Sequence, residues 1–257
     1  DMGGLAAAVF KRGIRHINVA TTLLGAVDAA VGGKTGIDFH GLKNEIGAFH
    51  LPVEVMAEVE SFRSLPDVEI LSGFGEVVKT AFIADEEMTS RVLALDPLEA
   101  DAEVLEEVCR FCRDEKMRVV NEDPTEKGLR KILNFGHTAG HAIESLLLEK
   151  GTPVPHGVAV AHGILVALIL SDTAEGIDRK WISDYAAWLR RYYPEAKFTC
   201  ADYDRILALA AHDKKNTAEG VFSFTLLRAP GRPVYDCAVT PDQLKAALDI
   251  YQELMGR

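Results

Sequence analysis

The spacing of apolar positions changes once along the chain. Up to Leu65 they come in short clusters separated by glycines and threonines; beyond Pro66 they recur at helical spacing. The early part predicts mixed α/β structure: a short helix over 5–11, a strand over 16–20 and a helix over 21–31 with Thr21 and Thr22 as candidate caps. A glycine-rich turn, Gly32-Gly33-Lys34-Thr35-Gly36, then opens a loop to Lys43 and Asn44, and a further strand is expected over 53–56. The later part predicts helices over 67–84, 101–121, 127–148, 157–175, 181–192 and 202–212. A small hairpin over 221–227 and 233–238 follows, then a helix over 241–255 capped by Thr240 with Pro241 at its first position. Leu65-Pro66-Asp67 marks the boundary, giving an α/β unit over 1–65 and a mainly helical unit over 66–257.

A length of 257 residues with 48% apolar and 26% charged residues is ordinary globular composition with material for a sizeable core. The net charge of −11 argues against nucleic acid as a partner, since a phosphate backbone selects basic surfaces. No membrane span is expected: the longest apolar stretch, 158–170, is interrupted by His162 and Gly163 and reads as a buried helix. Four cysteines without a second C-x-x-C fit free thiols in a reducing cytoplasm, with Cys109 and Cys112 as half-buried helix positions. The start at Asp1, followed by Gly3-Gly4-Leu5-Ala6, reads as the interior of something larger.

Against that acidic background the histidines stand out. His137 and His141 are four residues apart, which on a helix over 126–148 puts both imidazoles on one face, and His156 precedes the next apolar helix. The spacing excludes a zinc protease, because Thr138 occupies the position of the required glutamate. Glu76, in Gly-Glu-Val-Val-Lys, is the best remaining metal donor, and two imidazoles with one carboxylate leave a coordination position open. The plain alternative is that the histidines pack or cap and Glu76 faces solvent. Arg130, Asn134, His137 and His141 would continue one polar stripe on that helix. Lys34, between glycines, is placed to let backbone approach an anion, or else sits in an ordinary turn. His212 to Asn216 reads as a solvated loop.

In collinear order, Arg12-Gly13-Ile14, Thr21-Thr22-Leu23-Leu24, Val27-Asp28, the turn 31–37, Lys43-Asn44 with Ile46 to Phe49, and Gly75 to Lys79 resemble the 3-dehydroquinate synthase family of sugar phosphate cyclases. Glu126 to Arg130, Asn134-Phe135-Gly136-His137-Thr138 with Gly140 to Glu144, His156-Gly157 and Asp213-Lys214-Lys215 extend the resemblance over essentially the whole chain. It implies an α/β remnant of a Rossmann-like NAD-binding domain followed by an α-helical metal-binding domain. The implied activity is an NAD- and divalent-metal-dependent lyase that turns 3-deoxy-D-arabino-heptulosonate 7-phosphate into 3-dehydroquinate and phosphate, in a cytoplasmic homodimer.

Carried over by position, Glu76, His137 and His156 would hold zinc or cobalt. His141 would be the proton-transfer residue, with Glu126, Lys34, Lys79 and Asn134 also catalytic. Lys34, Asn44, Lys116, Arg130, Asn134, Lys214 and Lys215 would bind substrate, and Arg12 would be lent across the dimer interface. Asp1, Thr21, Thr22, Asp28, Lys43, Ser61, Phe62, Arg63 and Ser64 would touch NAD. The chain departs from the usual pattern at Ala20, where proline is common, at Asp38 for asparagine and at Val158 for glutamate, and none of these removes a ligand. The resemblance places the glycine-rich cofactor turn before Asp1. Rival readings are a cyclase for another sugar phosphate, a polyol dehydrogenase of related architecture, and a non-catalytic metal-binding module.

Overall fold

A computed structural model of the chain describes residues 2–39, 42–211 and 220–256, apart from the side chains at 38, 39 and 42–44. Asp1, Lys214 and Lys215 therefore lie outside the described residues, as do the side chains of Lys43 and Asn44.

The α/β part is small. Helix α1 (Met2–Val9) runs into a 3₁₀ turn at Phe10–Arg12, and strand β1 (Ile17–Ala20) pairs in parallel with β4 (Glu54–Ala57), Ile17 opposite Glu54. The helix expected over 21–31 is present in a different winding. Gly25–Ala29 forms π-helical turns, and the Thr22 hydroxyl accepts from the amide of Gly25 at 3.1 Å. The expected loop to Lys43 is instead an antiparallel hairpin, β2 (Lys34–Phe39) against β3 (Leu42–Phe49), with Lys34 opposite Phe49.

The helical part follows the apolar periodicity closely: α2 (Asp67–Ala84), α4 (Ala102–Glu122), α6 (His156–Glu175), α7 (Arg179–Tyr192), α8 (Tyr203–Ala211) and α9 (Pro241–Leu254). Sequence reasoning missed α3 (Glu86–Ala94), which Asp85 caps by accepting from the Met88 amide. The capping box at Thr240 and Gln243 forms as its residue types dictate. The hairpin β5 (Phe222–Leu227) and β6 (Pro233–Val239) closes the sheet inventory of the described residues.

The expected continuous helix over 127–148 is broken. Leu129–Asn134 is a 3₁₀ segment, Phe135 turns the chain out, and α5 (His137–Glu149) begins only after Gly136 at φ 76°. Arg130 and Asn134 consequently share no helical stripe with His137 and His141. Gly136 is held in the left-handed region against Ile164, where a Cβ would meet a side-chain carbon at 2.6 Å.

The core is organised around α6. It is long and apolar enough to cross a membrane, contrary to expectation, but it is largely buried inside this fold. The helix is apolar all round because α2, α5, α7, α9 and β5 surround it. Two backbone-to-backbone contacts draw α2 and α5 onto it. Gly157 rests on the carbonyl of Ser72, and Gly163 rests on Gly136 and Gly140. The Ser72 hydroxyl also accepts the free amide of Gly157 at the start of α6. These approaches aim the beginnings of α5 and α6 at the middle of α2.

Candidate active site

Glu76 projects from that middle and is completely buried. Its Oε1 stands 3.5 Å from Nε2 of His137 and 3.5 Å from Nε2 of His156. The Nδ1 of His137 lies 3.1 Å from the carbonyl of Phe135, and Nδ1 of His156 lies 3.2 Å from a carboxylate oxygen of Glu144. Those partners are acceptors, so each Nδ1 carries a proton and donates it, which turns each Nε2 toward Glu76. A divalent cation between these three atoms would take up the carboxylate charge and a lone pair from each Nε2. Oε2 of Glu76 is engaged by the Lys79 ammonium, whereas Oε1 faces only the two imidazole nitrogens. With metal–ligand distances near 2.0–2.1 Å, neighbouring donors of a tetrahedron lie about 3.3 Å apart, close to the separation seen here. The residues therefore fit a divalent cation.

Burial opposes ionisation of Glu76, but Lys79, His137 and His156 outweigh it and hold the carboxyl well below its ordinary value. Burial also holds His137 well below the usual imidazole value, against the pull of Glu76, so the ring is neutral and ready to ligate. His156 is also depressed by burial, yet Glu144 and Glu76 overcome this and raise it to about 9 in the metal-free protein. His141 sits one turn along α5, its ring 5.3 Å from that of His137 and 5.4 Å from that of His156. Ligand nitrogens of the three histidines lie within 4.8 Å of one another. His141 is near enough to ligate or to pass a proton at the same centre.

A cationic rim lies beside the cluster. Lys79 pairs with Oε2 of Glu76 and reaches Asp28 at 3.3 Å, and Lys116 donates to the Asp28 carboxylate at 2.8 Å and to its carbonyl at 2.6 Å. Burial would raise the Asp28 carboxyl, but the two ammonium groups hold it well below its usual range. Asp28, expected to touch NAD, has its carboxylate engaged as the counter-ion of Lys79 and Lys116.

A second group hangs on the loop before the 3₁₀ segment. Glu126 occupies left-handed backbone at φ 59°, pairs with Lys34 and accepts from the Asn134 amide at 2.7 Å. Non-glycine residues in that region are costly and concentrate at functional sites. Asp123, which sequence reasoning passed over, accepts the amides of Lys127, Gly128 and Arg130 and so fixes the loop. Arg130 is buried, donating to the carbonyls of Pro124 and Gly32, and a Cβ on Gly32 would strike its guanidinium at 2.9 Å. The fold thus brings together Lys34, Glu126, Asn134 and Arg130, and separately Asp28, Lys79, Lys116 and the histidines.

The remaining expected positions are placed elsewhere. Arg12 is exposed at φ 68° after α1 and lines a surface hollow with Arg15 and His50. Ser61 donates to the carbonyls of Thr21 and Glu58, Ser64 donates to that of Ser61, and Arg63 pairs with Glu60, all near the C-terminal end of β1. The side chain of Phe62, a residue expected to touch NAD, points into the core at 2% exposure. Cys109 and Cys112 are both buried on α4, one turn apart.

Models of 3-dehydroquinate synthase, N-terminal and C-terminal, match residues 1–72 and 73–216 respectively. The 3-dehydroquinate synthase of Parabacteroides distasonis is 44% identical over 256 residues, covering 100% of this chain and 72% of that protein. The same enzyme of Clostridium tetani is 34% identical over 97% of this chain and 66% of its own length. A crystal structure of 2-deoxy-scyllo-inosose synthase complexed with carbaglucose-6-phosphate, NAD+ and Co2+ is 26% identical with a TM-score of 0.83, covering 97% of this chain and 70% of that one.

Proposed function

The chain belongs to the 3-dehydroquinate synthase family, and from that premise we propose that it converts 3-deoxy-D-arabino-heptulosonate 7-phosphate to 3-dehydroquinate and phosphate. The observation that carries this reading is the buried Glu76 oxygen with two imidazole nitrogens 3.5 Å away, rimmed by Lys79, Lys116 and Asp28. Glu76, His137 and His156 would hold zinc or cobalt. When bound, the cation would acidify a substrate hydroxyl and NAD would take up and later return a hydride.

The chain's own residues bind, orient and move protons. Lys79 and Lys116 keep positive charge at the edge of the centre despite burial, because Asp28 and Glu76 compensate them; an anionic, hydroxylated substrate would be held there. Lys34 and Asn134 both meet Glu126, so a substrate phosphate or carboxylate arriving at Lys34 would exchange with that carboxylate. Arg130 fixes the turn that presents Lys34 by bonding Gly32, and its remaining donors suit a substrate carboxylate. His141 would pass the proton of the hydroxyl that is oxidised. Elimination then breaks the C7–oxygen bond, with the C6 proton going to the departing phosphate, and ring closure is an internal aldol step. Thr21, Thr22, Ser61 and Ser64 would border NAD, and Asn44, Lys214, Lys215 and a partner's arginine equivalent to Arg12 would complete the substrate site of a cytoplasmic homodimer. We divide the chain functionally at Leu65, with the cofactor part before it and the metal part after.

Product analysis after incubation with the heptulosonate phosphate, NAD and zinc tests the assignment. 3-Dehydroquinate is the expected product. Turnover of a different hexose or heptulose phosphate in its place would assign the chain to another cyclase activity.

A further inference from the structure

The Glu144 carboxylate is neither a metal ligand nor a substrate contact in the site as assigned so far, yet it lies on the same face of α5 as His137 and His141, seven and three residues on. Its Oε2 stands 3.2 Å from Nδ1 of His156, and both side chains are largely shielded, at 15% and 33% exposure. We propose that Glu144 is a positioning residue that fixes the ring of His156 for metal binding, an inference that rests on the metal reading above.

The two candidate imidazole ligands differ in what holds them. His137 donates its Nδ1 proton to the carbonyl of Phe135, two residues away in its own chain segment. His156 is the first residue of α6, after Pro155, and the bond that orients its ring comes from another helix. Without an acceptor at Nδ1 the ring can flip about its Cβ–Cγ axis, or carry its proton on Nε2, and either change removes the lone pair from Glu76. A carboxylate acceptor blocks both and makes Nε2 a better donor, because it withdraws the Nδ1 proton. Glu144 also ties α5 to the start of α6, so the same contact sets the spacing between His137 and His156.

The test is zinc affinity of the purified protein, measured by competition with a chromophoric chelator, for unsubstituted protein, Glu144→Ala and Glu144→Gln. Loss of such an outer partner typically weakens metal binding about 10–100-fold, the expected result for Glu144→Ala. Glu144→Gln, whose amide oxygen still accepts from Nδ1, should recover much of that loss. The zinc-loaded, ¹⁵N-labelled protein supplies a second readout that survives failure of the alanine variant to fold. Glu144→Gln should shift the Nδ1–H resonance of His156 and leave that of His137 in place. Unchanged affinity in a folded Glu144→Ala protein, or an unmoved His156 resonance in Glu144→Gln, overturns the inference while leaving the metal site standing. Failure of the unsubstituted protein to bind zinc overturns the metal reading itself.

Discussion

The backbone of Gly157 lies directly on the carbonyl oxygen of Ser72, so close that a Cβ at Gly157 would stand 1.8 Å from that oxygen. This contact sets how near His156, one residue earlier, comes to Glu76, four residues after Ser72. Gly157→Ala must push α6 from α2, at a cost of about 1–3 kcal/mol or more, as overpacking in cores usually does. We expect a lowered unfolding midpoint together with weakened zinc binding. Wild-type zinc affinity in the alanine variant would show that the helix spacing does not set the site.

Lys34 and Glu126 form a half-exposed pair, and pairs of that kind add only about 0–1 kcal/mol to stability. Lys34→Met should therefore leave the unfolding midpoint nearly unchanged while lowering kcat/KM about 100-fold or more, the range seen when a charge-stabilising donor is removed. Equal losses of stability and activity would make Lys34 a structural residue.

Asp123 gives the loop of Glu126 and Arg130 a dependence on pH. Its carboxyl is held below the ordinary value first by the amide of Gly128, then by those of Lys127 and Arg130. A depressed carboxyl stabilises the folded loop above the unfolded value of about 3.9 and loses that contribution as pH falls through the lower folded value. Hydrogen exchange at the Lys127, Gly128 and Arg130 amides should therefore be slow at pH 6 and lose protection toward pH 3. In Asp123→Asn these amides should exchange faster at pH 6, with a smaller change on acidification. Equal protection in both proteins at pH 6 would mean the loop is ordered by other contacts.

The thiols should react unequally. Burial pushes Cys109 up to about 12 and Cys112 higher still, and Cys237 is pushed up to about 11, while Cys200 is exposed. The thiolate is the reactive form, so at pH 8 maleimide should label Cys200 alone in the native protein and all four cysteines in denaturant. Rapid native labelling of Cys109 or Cys112 would reopen a redox role for the C-x-x-C.

The long helices were readable because each buries one apolar face at helical spacing, α2, α5, α7 and α9 against α6 and α4 against α2, and because caps such as Thr240 and Asp101 act locally. The break before α5 was not readable. Arg130, Asn134, His137 and His141 keep helical spacing in sequence, and the left-handed turn at Gly136 answers to Ile164, 28 positions away. Helix α3 escaped notice because it is short and mostly polar, and β2 because Lys-Thr-Gly-Ile-Asp lacks strand-like alternation. In the site, residue types announced a metal and an anion. What they could not announce was that Asp28 bridges Lys79 and Lys116 from 51 and 88 residues away, or that Phe62 turns inward. Those relations exist only once the chain is packed.

The central claim is tested most directly by phosphate release from 3-deoxy-D-arabino-heptulosonate 7-phosphate, with NAD and zinc each omitted in turn. The account predicts release that requires both, with 3-dehydroquinate as the carbon product, and its loss in Glu76→Gln, which removes a charged ligand at nearly constant shape. Release that persists without metal, or undiminished in Glu76→Gln, would contradict it.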